Sequence, residues 1–111
     1  MNKDRRKQLS QLAEGLREAS STLETVKDNL DALKSDVEGV ASDEQDAKDN
    51  MPQSQQDGEK GEKADAAIES MSESTTEIDD VMGKIDDVNN SIEEMVGSLD
   101  TAINALETAQ E

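Results

Sequence analysis

Ile78-Asp79-Asp80-Val81, Ile85-Asp86-Asp87-Val88 and Ile92-Glu93-Glu94-Met95 repeat one unit every seven residues: apolar, acidic, acidic, apolar. Apolar residues spaced alternately three and four apart make the seam of a coiled coil. The two acids of each unit fall outside that seam, on the outward side of the helix.

The same period runs through the first half of the chain. With Leu9 as position a, the a row is Leu9, Leu16, Leu23, Leu30, Val37, Glu44 and Met51. The d row is Leu12, Ala19, Val26, Leu33, Val40 and Ala47. In the second half the a row is Ala64, Met71, Ile78, Ile85, Ile92, Leu99 and Leu106, and the d row is Ala67, Ser74, Val81, Val88, Met95, Ala102 and Ala109. The pattern predicts a first helix over 3–50 and a second over 63–109, with Asn2 suited to the N-cap. A capping-box spacing at Ser42 and Gln45 makes a break near Ala41 the alternative for the first helix.

Between the helices the single proline, Pro52, disfavours helix at Met51. Asp57-Gly58 and Gly61 punctuate the segment as turns, so 51–62 reads as the connection. Two helices of equal length with a short polar connection predict an all-α fold of one domain: an antiparallel two-helix coiled-coil hairpin.

Placing a residues of one helix against d residues of the other gives a register in which paired numbers sum to 118. Every seam alanine then meets a large partner, and the polar Glu44 meets Ser74. A slip to a sum of 111 sets Val37 on Ser74 and Glu44 on Ala67, which buries polar groups against apolar ones. The basic start, Lys3, Arg5, Arg6 and Lys7, opposes the dipole of its own helix. In a hairpin it lies beside Glu107 and Glu111 at the end of the second helix.

Ile68, Met82, Val96 and Ile103 fall just outside the second helix's seam, at e positions. The matching row of the first helix is mostly polar: Ala13, Ser20, Lys27, Lys34, Ala41 and Lys48. A lone hairpin with an a/d seam leaves the second helix's row wet. Ile68, Met82, Val96 and Ile103 are therefore the expected dimer interface, pairing two hairpins into a four-helix bundle.

Composition sharpens the picture. The 111 residues hold 28 acids and 11 bases, a formal charge of −17, with no aromatic residue, Cys or His. A thin seam of Leu, Ile, Val, Ala and Met does without aromatics, whereas a compact globular core leans on them. Acid–base or nucleophilic chemistry would fall to carboxylates, Lys, Ser or Thr on solvated helix faces. The reading is a protein that is not an enzyme, with no catalytic residue and no cofactor. Asp43, Asp46 and Asp49 step by threes but lack the alternating oxygen ligands, central Gly and terminal Glu of a Ca²⁺ loop, so no metal site is expected. Net charge opposes direct nucleic-acid binding. No continuous apolar run follows the charged start, so neither a leader nor a membrane span is expected and the expected location is the cytoplasm.

The charge is uneven. Residues 51–111 carry 16 acids against 3 bases, whereas residues 1–50 carry 12 against 8. Along a helix rising ~1.5 Å per residue the sixteen acids fall one per ~4–5 Å, against about one per 3.4 Å along a DNA strand. Asp79, Asp80, Asp86, Asp87, Glu93 and Glu94 are the candidate surface for a basic protein partner.

The segment Asp43-Glu44-Gln45-Asp46-Ala47-Lys48-Asp49-Asn50-Met51-Pro52, with Ser54, Gln56, Gly58-Glu59-Lys60-Gly61-Glu62 and later Ala67-Ile68, resembles the central motif of a group of small acidic proteins. These are largely uncharacterised products of bacterial phages, prophages and mobile elements. The resemblance extends to the layout: a Lys/Arg-rich start, a long helix, this motif, then an acidic heptad helix. Lys48 stands where the group's pattern has an aromatic. The resemblance implies a helical hairpin and an accessory role on a host or phage protein in a bacterial cell, and singles out Asp49, Asn50, Met51, Pro52, Gly58 and Gly61 as the motif loop. Two functions follow as expectations. One is a non-catalytic interaction protein whose acidic face binds a basic, nucleic-acid-handling host protein, as a DNA mimic or inhibitor. The other is a coiled-coil adaptor or assembly factor acting through apolar contacts of the second helix and the central loop.

Overall fold

The structure is a computed structural model that describes residues 2–110, and everything described is helix or tight turn. Helix α1 spans Asn2–Asp49, the short α2 spans Gln53–Gln56, and α3 spans Glu59–Gln110. α1 runs unbroken past Ala41, so Ser42 starts no new helix.

Tertiary contacts gather into two compact units, Met1–Lys27 with Gly83–Glu111, and Asp28–Met82. In each, α1 and α3 pair antiparallel. In the first unit Arg6 meets Glu107 at 3.4 Å and Lys27 meets Asp86 at 2.6 Å. In the second, Lys34 meets Asp79 at 2.9 Å and Lys48 meets Asp65 at 2.6 Å. As the number rises on α1 it falls on α3; these four pairs sum to 113, and Arg17 with Asp100, at 3.4 Å, sums to 117. Arg6 beside Glu107 is the expected pairing of the basic start; Glu111 lies outside the described residues.

This register corrects the expected sum of 118. The cause is which rows face inward. On α1 the a row stays shielded, but the second shielded row is e: Arg6, Ala13, Ser20, Lys27, Lys34, Ala41 and Lys48 are all half-buried or buried. On α3 the inward rows are likewise a and e. Ile85, Ile92 and Val96 are buried in one unit and Ala64 in the other. The d rows look outward, with Leu12, Val26, Leu33, Val40, Val81, Val88 and Met95 each 40–60% exposed. Glu44 is half-buried while Ser74 is exposed, its hydroxyl bonded to the Ser70 carbonyl of its own helix at 3.1 Å, so the expected Glu44–Ser74 layer does not form.

Energetics explain the choice of rows. The e-row lysines of α1 lay their aliphatic stems along the seam and hold their ammonium groups at its edge. There they reach b-row acids of α3, while the side chains of Lys27, Lys34 and Lys48 stay only 19–29% exposed. Each such pair is worth about 0–1 kcal/mol, so together they select a register more than they hold the fold. Burial of the isoleucines and Val96 supplies the larger driving force.

The turn lies within the second unit. Asn50 donates to the Asp46 carbonyl at 3.0 Å and Met51 to that of Lys48 at 3.0 Å, which closes α1. Pro52, at φ −56° and ψ 148°, caps α2 with its carbonyl, which accepts from Gln55 and Gln56. The Gln56 side-chain amide then donates back to the carbonyls of Met51 at 2.9 Å and Asp49 at 3.2 Å, groups that a helix end leaves without partners. Gly61 is not turn punctuation as expected. It sits in the first turn of α3, buried, where a Cβ would overlap the Gln56 carbonyl. Among the described residues no glycine has positive φ, so this one serves close approach and not a left-handed bend.

Candidate functional site

The six acids of the candidate surface fall on two rows of α3 with different surroundings. Asp79 and Asp86 occupy row b and are engaged, Asp79 by Lys34 and Asp86 by Lys27. Hydrogen bonding to Asp79 raises the pKa of Lys34 above its ordinary value, with the nearby charges of Asp79, Glu38 and Asp31 adding to it and desolvation opposing. Asp80, Asp87 and Glu94, on row c, are exposed and in no ion pair among the described residues, and neither is Glu93 on row b. The ladder is therefore divided: Asp79 and Asp86 of row b fasten α3 to α1, and the other four acids face solvent.

Ile68, Met82, Val96 and Ile103 are not on an outer face. Val96 is buried, the other three are half-buried, and all lie on the inward e row of α3. Within their respective units they close the hairpin seam, which leaves the d rows as the wet apolar stripe. The expected dimer surface is corrected accordingly.

The motif loop has a definite local role. Asp49 ends α1 and accepts from Gln45 at 3.0 Å, Asn50 and Met51 close that helix, Pro52 starts α2, and Gly58 accepts the first α3 bond from Glu62 at 3.1 Å. Lys48 pairs with Asp65 and is held in the seam.

One constellation was not anticipated. In the first unit Asn89 is buried, with 8% exposure. Its oxygen accepts from Ser20 Oγ at 3.0 Å and its amide nitrogen donates to Glu24 Oε1 at 2.7 Å. Beside it Arg17, Ser20, Ile92, Glu93 and Val96 line an open notch of about 250 Å³, and Arg17 also pairs with Asp100 at 3.4 Å. A satisfied polar layer in an otherwise apolar seam fixes register. Its only trace in the sequence is that Ser20 and Asn89 share row e with Lys27 and Val96.

Among the described residues no group of three or more carboxylates converges to hold a metal ion, and no helix is long and apolar enough to cross a membrane. Comparison with protein-family models, curated proteins and solved structures finds no match to this chain.

Proposed function

We propose that this chain is a non-catalytic acidic coiled-coil interaction protein of the phage or mobile-element kind that its central motif resembles, working in the cytoplasm of a bacterial host. It binds a basic, nucleic-acid-handling protein through the outer acids of α3, as a mimic of the DNA backbone or an inhibitor of DNA access. It does so as a homodimer, two hairpins forming a four-helix bundle. The observation that carries the reading is the surplus of charge on α3. Lys27 and Lys34 engage Asp86 and Asp79, and among the described residues Asp80, Asp87, Glu93 and Glu94 are left without an ion pair. Several exposed like charges on one helix repel one another, and an opposite surface relieves that cost.

Exposed Leu33, Val40, Val81, Val88 and Met95 favour a second reading, an adaptor that works through apolar contacts. Salt separates the two. Tagged chain is used to capture host proteins at about 0.05 M and about 0.5 M salt, where charge attraction is screened to very different extents. A partner retained at low salt and lost at high salt supports the acidic-face reading. A partner retained equally at both overturns it in favour of the adaptor.

A further inference from the structure

We propose that the d-row face of the unit formed by Met1–Lys27 and Gly83–Glu111 binds a second copy of this chain. The inference rests on the homodimer in the reading above and names its surface; it does not depend on the basic partner.

In this unit the ion pairs of Arg6 and Lys27 lie on the e/b side of the helix pair. In an antiparallel pair packed through a and e, the d rows of both helices emerge together on the opposite side. Leu12 at 60%, Val88 at 48%, Met95 at 47% and Val26 at 40% exposure therefore share one face. An open depression of about 510 Å³, lined by Leu16, Met95 and Leu99 among others, joins α1 to α3 there. Large apolar side chains grouped on one face mark an interaction surface.

Three observations select a second copy as the occupant. First, the border of the face is nearly neutral. Position g beside the stripe holds Gln8, Gly15 and Thr22 on α1 and Ser91, Ser98 and Ala105 on α3. For a chain of charge −17 this is the less charged side of the unit for a like-charged copy to approach, with Glu94 at the edge of the depression. Second, Lys84 stands on that border. It is the only cation of the α3 segment from Gly83 onward, and no ion pair holds it among the described residues. The row c acids Asp87 and Glu94 of a second copy are its natural counter-charges. Third, Gly15 lies beside the stripe, and a Cβ there would meet nothing within 4 Å, so the chain itself leaves open the space that a closely apposed helix of another copy would take. The same patch meeting itself makes an isologous, closed dimer.

Sedimentation equilibrium of the isolated native chain tests this, with circular dichroism to follow the fold. The native chain is expected at twice the chain mass, and Val88→Lys/Met95→Lys at the chain mass with its helical signal kept. Gly15→Ala is the second variant: alanine favours helix and its Cβ meets nothing within 4 Å in the chain, so the helix strengthens while the dimer dissociation constant rises at least tenfold. A native chain that stays at monomer mass removes the dimer itself and leaves the face to another partner. A native dimer that survives both variants keeps the dimer and overturns this face.

Discussion

Asn89 on α3 donates its side-chain amide to Glu24 on α1 across 2.7 Å, with Ser20 closing the other side of the same carboxamide at 3.0 Å. All the polar capacity that Asn89 turns toward α1 is met, so its contribution is selective: other registers leave the carboxamide buried without partners, at about 1–3 kcal/mol. Asn89→Leu is expected to stabilise the fold by about 1 kcal/mol, read as a higher thermal midpoint, while loosening the register. Zero-length carbodiimide coupling reads the register directly. The native chain should join Lys27 to Asp86, Lys34 to Asp79 and Lys48 to Asp65, and the leucine variant should add products shifted along α3. A leucine variant with a lower midpoint and unchanged products would show that Asn89 supports the fold and does not select its register.

Turn geometry gives a contrast between two glycines on α3. Gly61→Ala drives a methyl group into the Gln56 backbone, which cannot swing aside as a side-chain tip can. The expected loss exceeds about 1 kcal/mol. Gly97 has open space around its Cβ position, so Gly97→Ala should stabilise the helix by about 0.5–1 kcal/mol. Urea unfolding followed by helical signal measures both, and equal effects of the same sign would refute the close-approach account of Gly61.

Alkaline pH isolates Lys34. Its pKa is raised in the folded chain, chiefly by the hydrogen bond to Asp79. A lysine whose folded pKa exceeds its unfolded one stabilises fully below the ordinary value of about 10.4, and that contribution fades as pH climbs through the folded value. The midpoint difference between native and Lys34→Gln should hold steady to about pH 10 and shrink toward pH 12. A difference that stays constant across that range would mean that packing of the lysine stem, and not its charge, is what matters.

The heptad period was legible because a 3.5-residue apolar spacing has few other physical meanings, and it led directly to two long antiparallel helices. The choice between rows d and e was not legible. Both flank row a on α3 and both hold aliphatics there, Val88 and Met95 on one, Met82 and Val96 on the other. On α1, Lys27, Lys34 and Lys48 make row e look solvated, yet long lysine stems cover apolar surface as well as aliphatics do. Their acidic partners sit on the other helix, and no single-helix pattern displays that match. The acidic ladder was likewise visible as composition, while its division into engaged and free acids depended on the register. The turn motif was found by resemblance and punctuation, but Gln56 as the cap of α1 needed the backbone path.

That division makes the engaged acids and the row c acids separately testable. Asp79→Asn/Asp86→Asn removes the partners of Lys34 and Lys27, and should cost about 0–1 kcal/mol per pair and blur the cross-linked register. Asp80→Asn/Asp87→Asn/Glu94→Gln removes charges that no ion pair within the chain holds among the described residues, so the hairpin should keep its midpoint or gain slightly as like-charge repulsion falls. If the outer acids bind a basic partner, the second variant loses that partner at low salt by orders of magnitude, since several charge pairs vanish together, and the first keeps most of it. Equilibrium binding to the captured partner, measured beside the thermal midpoint, keeps stability and recognition apart. Equal loss of binding in both variants would mean that total charge and not row c is recognised. Full binding by the row c variant would leave the acids as solubilising groups and return recognition to the apolar stripe of Val88 and Met95.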